Sequence, residues 1–206
     1  IQKKINKKNI IIISEQSENI LFKFSKKYKI KHIVHKKYIG GRYSVFSEVG
    51  MLPAELMGIK INKIRQNSMK FFKSPYYPIA KNSVTKLSKI YKNNKFKTII
   101  LMNYYSGFED ILAWYQQLAA ESLGKKGLGL LPVVSQAPKD HHSLMQLYLD
   151  GPKDKIFYIF SSEKKTKLVI KNHLYGKEFK FIKNKNLTQI INAQRNAFIK
   201  ILRKKK

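Results

Sequence analysis

Cysteine is absent from the 206 residues, which excludes a disulfide framework and any thiolate-held zinc site. A chain without cysteine is at home in the cytosol, so a cytoplasmic location is expected. Acidic residues are scarce, 12 against 42 lysines and arginines, for a formal net charge of +30 and a pI near 10.1. Long apolar runs are missing too. IIII at Ile10–Ile13 and IFYIF at Ile156–Phe160 fall far short of the roughly 20 residues of a membrane helix, so no membrane partner is expected. The opening IQKKINKKN leads into no signal-peptide pattern, and without an initiating methionine the chain is expected to be cut from something longer.

What is present is enough to fold. Apolar residues make up 43% and aromatics 12%, values of a globular chain able to form one domain or parts of two. The positive charge raises the question of nucleic acid, because clustered cations displace counterions from phosphates. Yet the basic residues are nearly all lysine, accompanied by abundant Ile, Asn and Tyr, the set that AT-rich codons specify. Distribution decides between the two. Leu101–Pro152 holds three basic residues against five acidic ones, and Gly40–Gly58 holds Arg42 against Glu48 and Glu55. A nucleic-acid binder concentrates positive charge where it works. Here two segments avoid it, and no specific nucleic-acid partner is expected.

Hydrophobic periodicity outlines the fold. NIIIIS (Asn9–Ser14) suits a buried strand, Ile20, Leu21, Phe24 and Tyr28 keep helical spacing, and KHIVH returns to strand character. Strand, helix, strand over so short a span predicts a parallel pair. The lysine-rich Ile61–Tyr91, interrupted by SPYYP, predicts helices that bridge two domains. The pattern then restarts: FKTIILMNYY as a strand, FEDILAWYQQLAAESLG as a helix, LGLLPVVS as a strand. DHHSLMQLYLDG follows as a helix with Asp140 as N-cap and Gly151 as its stop, then DKIFYIFSS as a strand and LTQIINAQRNAFIKIL as a last helix. This alternation predicts an α/β fold with mainly parallel sheets covered by helices. Such sheets bind ligands beyond the carboxyl ends of their strands, where the candidate residues are expected.

Three motifs carry possible chemistry. GGRYS pairs Gly40 and Gly41, which permit a sharp turn or close ligand approach, with Arg42, a fork for a phosphate or developing oxyanion; a tight turn with a surface arginine would look the same. In WYQQLAAESLGK, Gln117 and Glu121 stand at i and i+4 on one helix face, near a helix end whose dipole disfavours a carboxylate's charge, as a general base requires. An ion pair of Glu121 with Lys125 is the plainer alternative. DHHS places His141 and His142 at a helix start. Adjacent histidines on a helix diverge and no ligand set accompanies them, so a proton-transfer role suits them better than a metal. His32, His35 and His173 join no evident constellation.

Together GGRYS with SEVGMLPA, WYQQLAAESLGK and DHHSLMQLYLDGP, in this order, resemble the phosphoglucose isomerase family, over most of the span from Lys36 to Phe160. The forms SEVGMLPA and APKDHHSLMQLYLDGPKDK are most similar to its bacterial branch. The resemblance implies reversible conversion of glucose 6-phosphate to fructose 6-phosphate through a cis-enediol, in glycolysis and gluconeogenesis, with no metal or other cofactor. It implies Glu121 as the base between C2 and C1, His142 as the ring-opening histidine and Arg42 as the cation at the enediolate. Gly41 and Gln117 become substrate-binding positions, and His141 is the weaker alternative to His142. It implies a sugar-phosphate substrate and a homodimer in which the histidine serves the other subunit's site. The implied architecture is a pair of three-layer α/β/α sugar isomerase (SIS) domains, incomplete at both ends: residues 1–63 ending the first, 64–81 a helical linker, 82–206 most of the second. Neither the family's Ser/Thr phosphate loop nor its C-terminal lysine helix has a counterpart here. The chain is therefore expected to be an internal piece, inactive alone. A noncatalytic sugar-phosphate-binding protein is the alternative, and a basic nucleic-acid binder a more distant one.

Overall fold

In a computed structural model the chain divides into two compact units, Ile1–Thr85 and Lys86–Lys206. The structure describes residues 6–92, 95–164, 166–171 and 176–205; His173 lies outside them.

The first unit is built on two parallel strands, β1 (Ile11–Ser14) and β2 (Lys31–Val34), with Ile11 opposite Lys31 and Ser14 opposite Val34. The helix between them, α1 (Ile20–Tyr28), starts where the Asn19 side chain accepts from the Phe22 N–H at 2.8 Å. That contact satisfies one of the donors a helix start leaves open. It stops at Lys29, whose left-handed φ of 53° turns the chain back toward the sheet. Ile12 of β1 and Ile30, between α1 and β2, are buried. After β2 comes a 3-10 helix, Gly41–Phe46, then α2 (Glu48–Leu56), capped by the Ser47 hydroxyl. GGRYS is thus the entry to a helical segment and no simple turn. Two lysine-rich helices follow, α3 (Ile61–Lys73) and α4 (Tyr76–Lys92), the latter running across the division; neither buries a residue among those described.

The second unit holds a three-stranded parallel sheet in the order β4 (Leu131–Gln136), β3 (Thr98–Asn103), β5 (Lys155–Phe160). In register, Asn103 stands opposite Gln136 on one side and Phe160 on the other. The central strand shows why IILM, Ile99–Met102, is apolar throughout, since successive residues enter two separate cores. Ile100 and Met102 pack with Tyr104, Tyr148 and Phe198, whereas Ile99 and Leu101 pack with Leu112. Leu112 belongs to α5 (Glu109–Leu123), while Tyr148 and Phe198 belong to α7 (Met145–Asp150) and α8 (Leu187–Lys204). Helices thus cover both faces, giving the three-layer α/β/α order. Within α5 Leu112 is buried, while Ile111 and Leu123 are more than half exposed.

The segment DHHSLMQLYLDG departs from its single-helix expectation. It forms two short helices, α6 (Lys139–Ser143) and α7, separated at Leu144 where ψ rises to −9°. Gly151 does end α7, its N–H donating to the Leu147 carbonyl. Asp140 is not the N-cap; it lies within α6, and its carboxylate turns back to β4 instead.

Candidate active site

In the first unit the arginine motif hangs from the carboxyl end of β2. Ser44 is buried and folds its hydroxyl onto the Gly41 carbonyl at 2.6 Å, and Ser47 donates to the Ser44 carbonyl at 2.8 Å. These short-range bonds wind residues 41–46 into the 3-10 helix. Arg42 is partly buried, its guanidinium carbon 4.9 Å from the Tyr43 ring centroid, a cation–π contact that restrains the fork. The glycines of the region differ in what they do. A Cβ on Gly41 would meet nothing within 4 Å, so neighbouring atoms do not demand glycine there. A Cβ on Gly50 would collide with the Val45 carbonyl oxygen, so this glycine is what lets α2 close onto the arginine segment. Beside the motif lies a cavity of about 590 Å3 whose walls include Lys36, Tyr38, Tyr43, Ser47, Glu48 and Arg65.

In the second unit the α5 helix is fastened to the sheet by Gln116, whose side-chain amide donates to the Pro132 carbonyl at 2.8 Å. The next residue, Gln117, is exposed, as is Glu121 one turn later, with the Gln117 amide 3.5 Å from the Glu121 carboxylate. Topology then fixes where this pair sits. β3 and β4 are parallel, so α5 must run back from the carboxyl end of β3 to the start of β4. At about 1.5 Å per residue the helix traverses roughly 20 Å. Glu121, near its end, is therefore at the amino edge of the sheet, contrary to the expectation that the candidates gather at the carboxyl ends.

His142 lies at the opposite edge, on α6 directly after β4. The segment is tied down by Asp140, which accepts from the Ser135 hydroxyl at 2.9 Å, the Gln136 N–H at 2.7 Å and the Ser143 hydroxyl at 3.2 Å. The adjacent histidines do diverge. His141 turns inward, its Nε2 2.6 Å from the Tyr104 hydroxyl and its ring 5.6 Å from that of Phe198; His142 is exposed. Burial lowers the His141 pKa, an effect that Asp140 opposes, and burial pushes the Tyr104 phenol up. Both shifts suit a neutral imidazole that accepts from the phenol. His141 is thus a buttress, and His142 is the histidine offered to solvent. Among the described residues no group of three or more His, Asp or Glu side chains is placed to hold a metal ion.

Two features escaped the motif reading. Tyr104 and Arg195 complete the carboxyl edge of the second unit, Arg195 donating to the Ser161 hydroxyl at 2.5 Å and to Glu163 at 3.1 Å. His35, which joins no motif, is bound on both ring nitrogens: Nδ1 is 2.5 Å from the Glu48 carboxylate and Nε2 is 2.9 Å from the Ile39 carbonyl.

By fold the protein is of the α/β class, with parallel sheets and helices on both faces. A crystal structure of a hypothetical protein from Thermus thermophilus shares that fold, with a TM-score of 0.81 and 23% identity over 95% of this chain and 49% of its own. No protein-family model matches the chain. In sequence it is similar to curated glucose-6-phosphate isomerases. One, named a probable glucose-6-phosphate isomerase, from Methanococcus maripaludis, is 37% identical over 160 residues, 74% of this chain and 36% of the relative. That of Campylobacter jejuni is 32% identical over 165 residues, 77% and 40% respectively. That of Mycoplasmopsis synoviae is 28% identical over 212 residues, 95% and 47%. The chain spans less than half the length of these relatives.

Proposed function

We propose that the chain carries the proton-transfer part of a glucose-6-phosphate isomerase, acting in the cytoplasm on the aldose–ketose pair of glycolysis and gluconeogenesis. The observation that carries the reading is sequence similarity to isomerases of that name over most of the chain. Glu121 removes the C2 proton of the open-chain aldose and returns it to C1. Arg42 faces the oxyanion that develops as the enediol forms, and a fixed cation there is worth most in the transition state. Gln117, one turn from Glu121, orients the substrate, and the open side of Gly41 leaves room for it. His142 moves the proton that opens the sugar ring.

The separation of Glu121 and His142 onto opposite sheet edges gives this reading a consequence. One second unit cannot bring both to one sugar, so each site takes its histidine from another copy of the chain. The two SIS domains, with the boundaries expected from the sequence, and the homodimer belong to the same proposal.

The test is a coupled assay of fructose 6-phosphate conversion by the full gene product and by Glu121→Gln. Turnover that falls by about 10²–10⁴-fold in the variant, with substrate binding retained, supports the assignment. Binding of fructose 6-phosphate without turnover in the wild type would favour a noncatalytic sugar-phosphate-binding protein.

A further inference from the structure

His35 begins the loop that carries the arginine motif, and its surroundings fix its protonation state. Its backbone N–H donates to the Ser14 carbonyl at 2.9 Å, which ties the residue to β1. Its two ring nitrogens face the Glu48 carboxylate and the Ile39 carbonyl. A carbonyl oxygen and an ionised carboxylate only accept, so both contacts are hydrogen bonds only when both ring nitrogens carry protons. The side chains are mostly shielded, His35 15% and Glu48 23% exposed. Glu48 is also the first residue of α2, where the helix terminus favours an anion. Between the two partners run 13 residue steps of chain that include Gly40, Gly41 and Arg42.

We propose that His35 and Glu48 form a proton-dependent clamp that closes this loop and positions Arg42. His35 is a positioning residue acting through Arg42, and it touches no substrate. The effect on turnover rests on the isomerase reading, whereas the clamp itself does not.

Electrostatics point the same way. Hydrogen bonding to Glu48, then to the Ile39 carbonyl, raises the His35 pKa against a desolvation cost, and Glu15, following β1, adds to the rise. The Glu48 carboxyl is lowered, first by its own backbone N–H and further by His35, against desolvation. The cations nearby are Lys36, next in sequence, and Arg65 of α3, which line the same cavity as Glu48. Because the His35 pKa is raised, the clamp's contribution is complete below the unfolded value of about 6.5 and is lost as pH rises through the folded value. The arginine loop therefore loosens on the alkaline side.

Two measurements on the full chain test the clamp. Nitrogen-15 NMR at pH 7 should show both His35 ring nitrogens protonated. Amide exchange of Tyr43 and Ser47, which donate to the Gly40 and Ser44 carbonyls, should accelerate by roughly 10–100-fold in Glu48→Gln, and similarly in His35→Gln. A neutral His35 ring in the wild type, or loop exchange unchanged in both variants, overturns the proposal. In an active full gene product, Glu48→Gln should lower kcat more than it raises KM and move the alkaline limb of the pH profile to lower pH. An unmoved limb overturns the positioning role. Absence of isomerase activity alongside a protonated His35 and loosened loops would instead defeat the isomerase reading and leave the clamp standing.

Discussion

Replacing Asp140 with alanine should destabilise the second unit far more than its half-buried position suggests. Its carboxylate is the acceptor for the Ser135 hydroxyl and the Gln136 N–H, and Ser135 is 0% exposed. Without Asp140 both donors lose their partner, the Ser135 hydroxyl in a place water does not readily reach and the Gln136 N–H in a half-buried one. A buried donor left unsatisfied costs about 1–3 kcal/mol, and with the half-buried Gln136 N–H at the low end, about 1 kcal/mol, the pair amounts to about 2–4 kcal/mol; Ser143, being exposed, adds little. Asp140→Asn can place its amide oxygen where one carboxylate oxygen accepts from both Ser135 and Gln136 and turn its NH2 toward the exposed Ser143 hydroxyl, so it should lose much less than the alanine variant. Urea unfolding followed by fluorescence isolates the effect, because Trp114 is the chain's single tryptophan and lies in the second unit. With a slope of about 1–3 kcal/mol per molar urea, the midpoint should fall by about 1–2 M in the alanine variant. A midpoint within about 0.2 M of wild type would refute the reasoning, since it would mean that water or a neighbour replaces the carboxylate at no cost.

Other expectations follow from single contacts. Gly50→Ala forces a Cβ toward the Val45 carbonyl oxygen, so α2 or the arginine segment must shift; limited proteolysis should cut faster within residues 40–50, and an unchanged pattern would contradict it. The second unit should weaken on acidification. The folded His141 pKa is lowered, so its contribution is present above about pH 6.5 and declines as pH falls through the interval down to the folded value. His141→Gln should flatten that part of the urea-midpoint curve against pH.

The layered fold was legible because the driving pattern is local. The Ile99–Met102 stretch of β3 reads as an unbroken apolar run since both of its faces are buried, and α8 follows the N-cap Asn186, whose capping-box partner Gln189 stands three residues on. The α2 helix was hidden by Gly50 and Pro53, both unfavourable inside helices; it forms because Ser47 caps it and Gly50 permits close approach to Val45. Asp140 carries an N-cap's signature, but the chain enters α6 directly from β4, and the carboxylate finds the Gln136 N–H behind it. His35 and Glu48 pair across a loop, a spacing that no periodicity marks. Charge depletion also has two meanings. In Leu101–Pro152 much of it accompanies buried strand residues, whereas Gly40–Gly58 is largely exposed, with Ser44 and Ala54 buried, so burial does not explain its few lysines.

The central claim is that Glu121 and His142, on opposite edges of one sheet, serve a single sugar only when contributed by different copies. The direct measurement is complementation of Glu121→Gln and His142→Ala in the full gene product, each assayed alone and after dissociation and reassociation of an equimolar mixture. Each variant alone should be nearly inactive, and the mixture should recover about a quarter of wild-type turnover, since half of the pairs formed are mixed and each carries one intact site. A mixture no more active than the separate variants, beside an active wild type, would contradict the account.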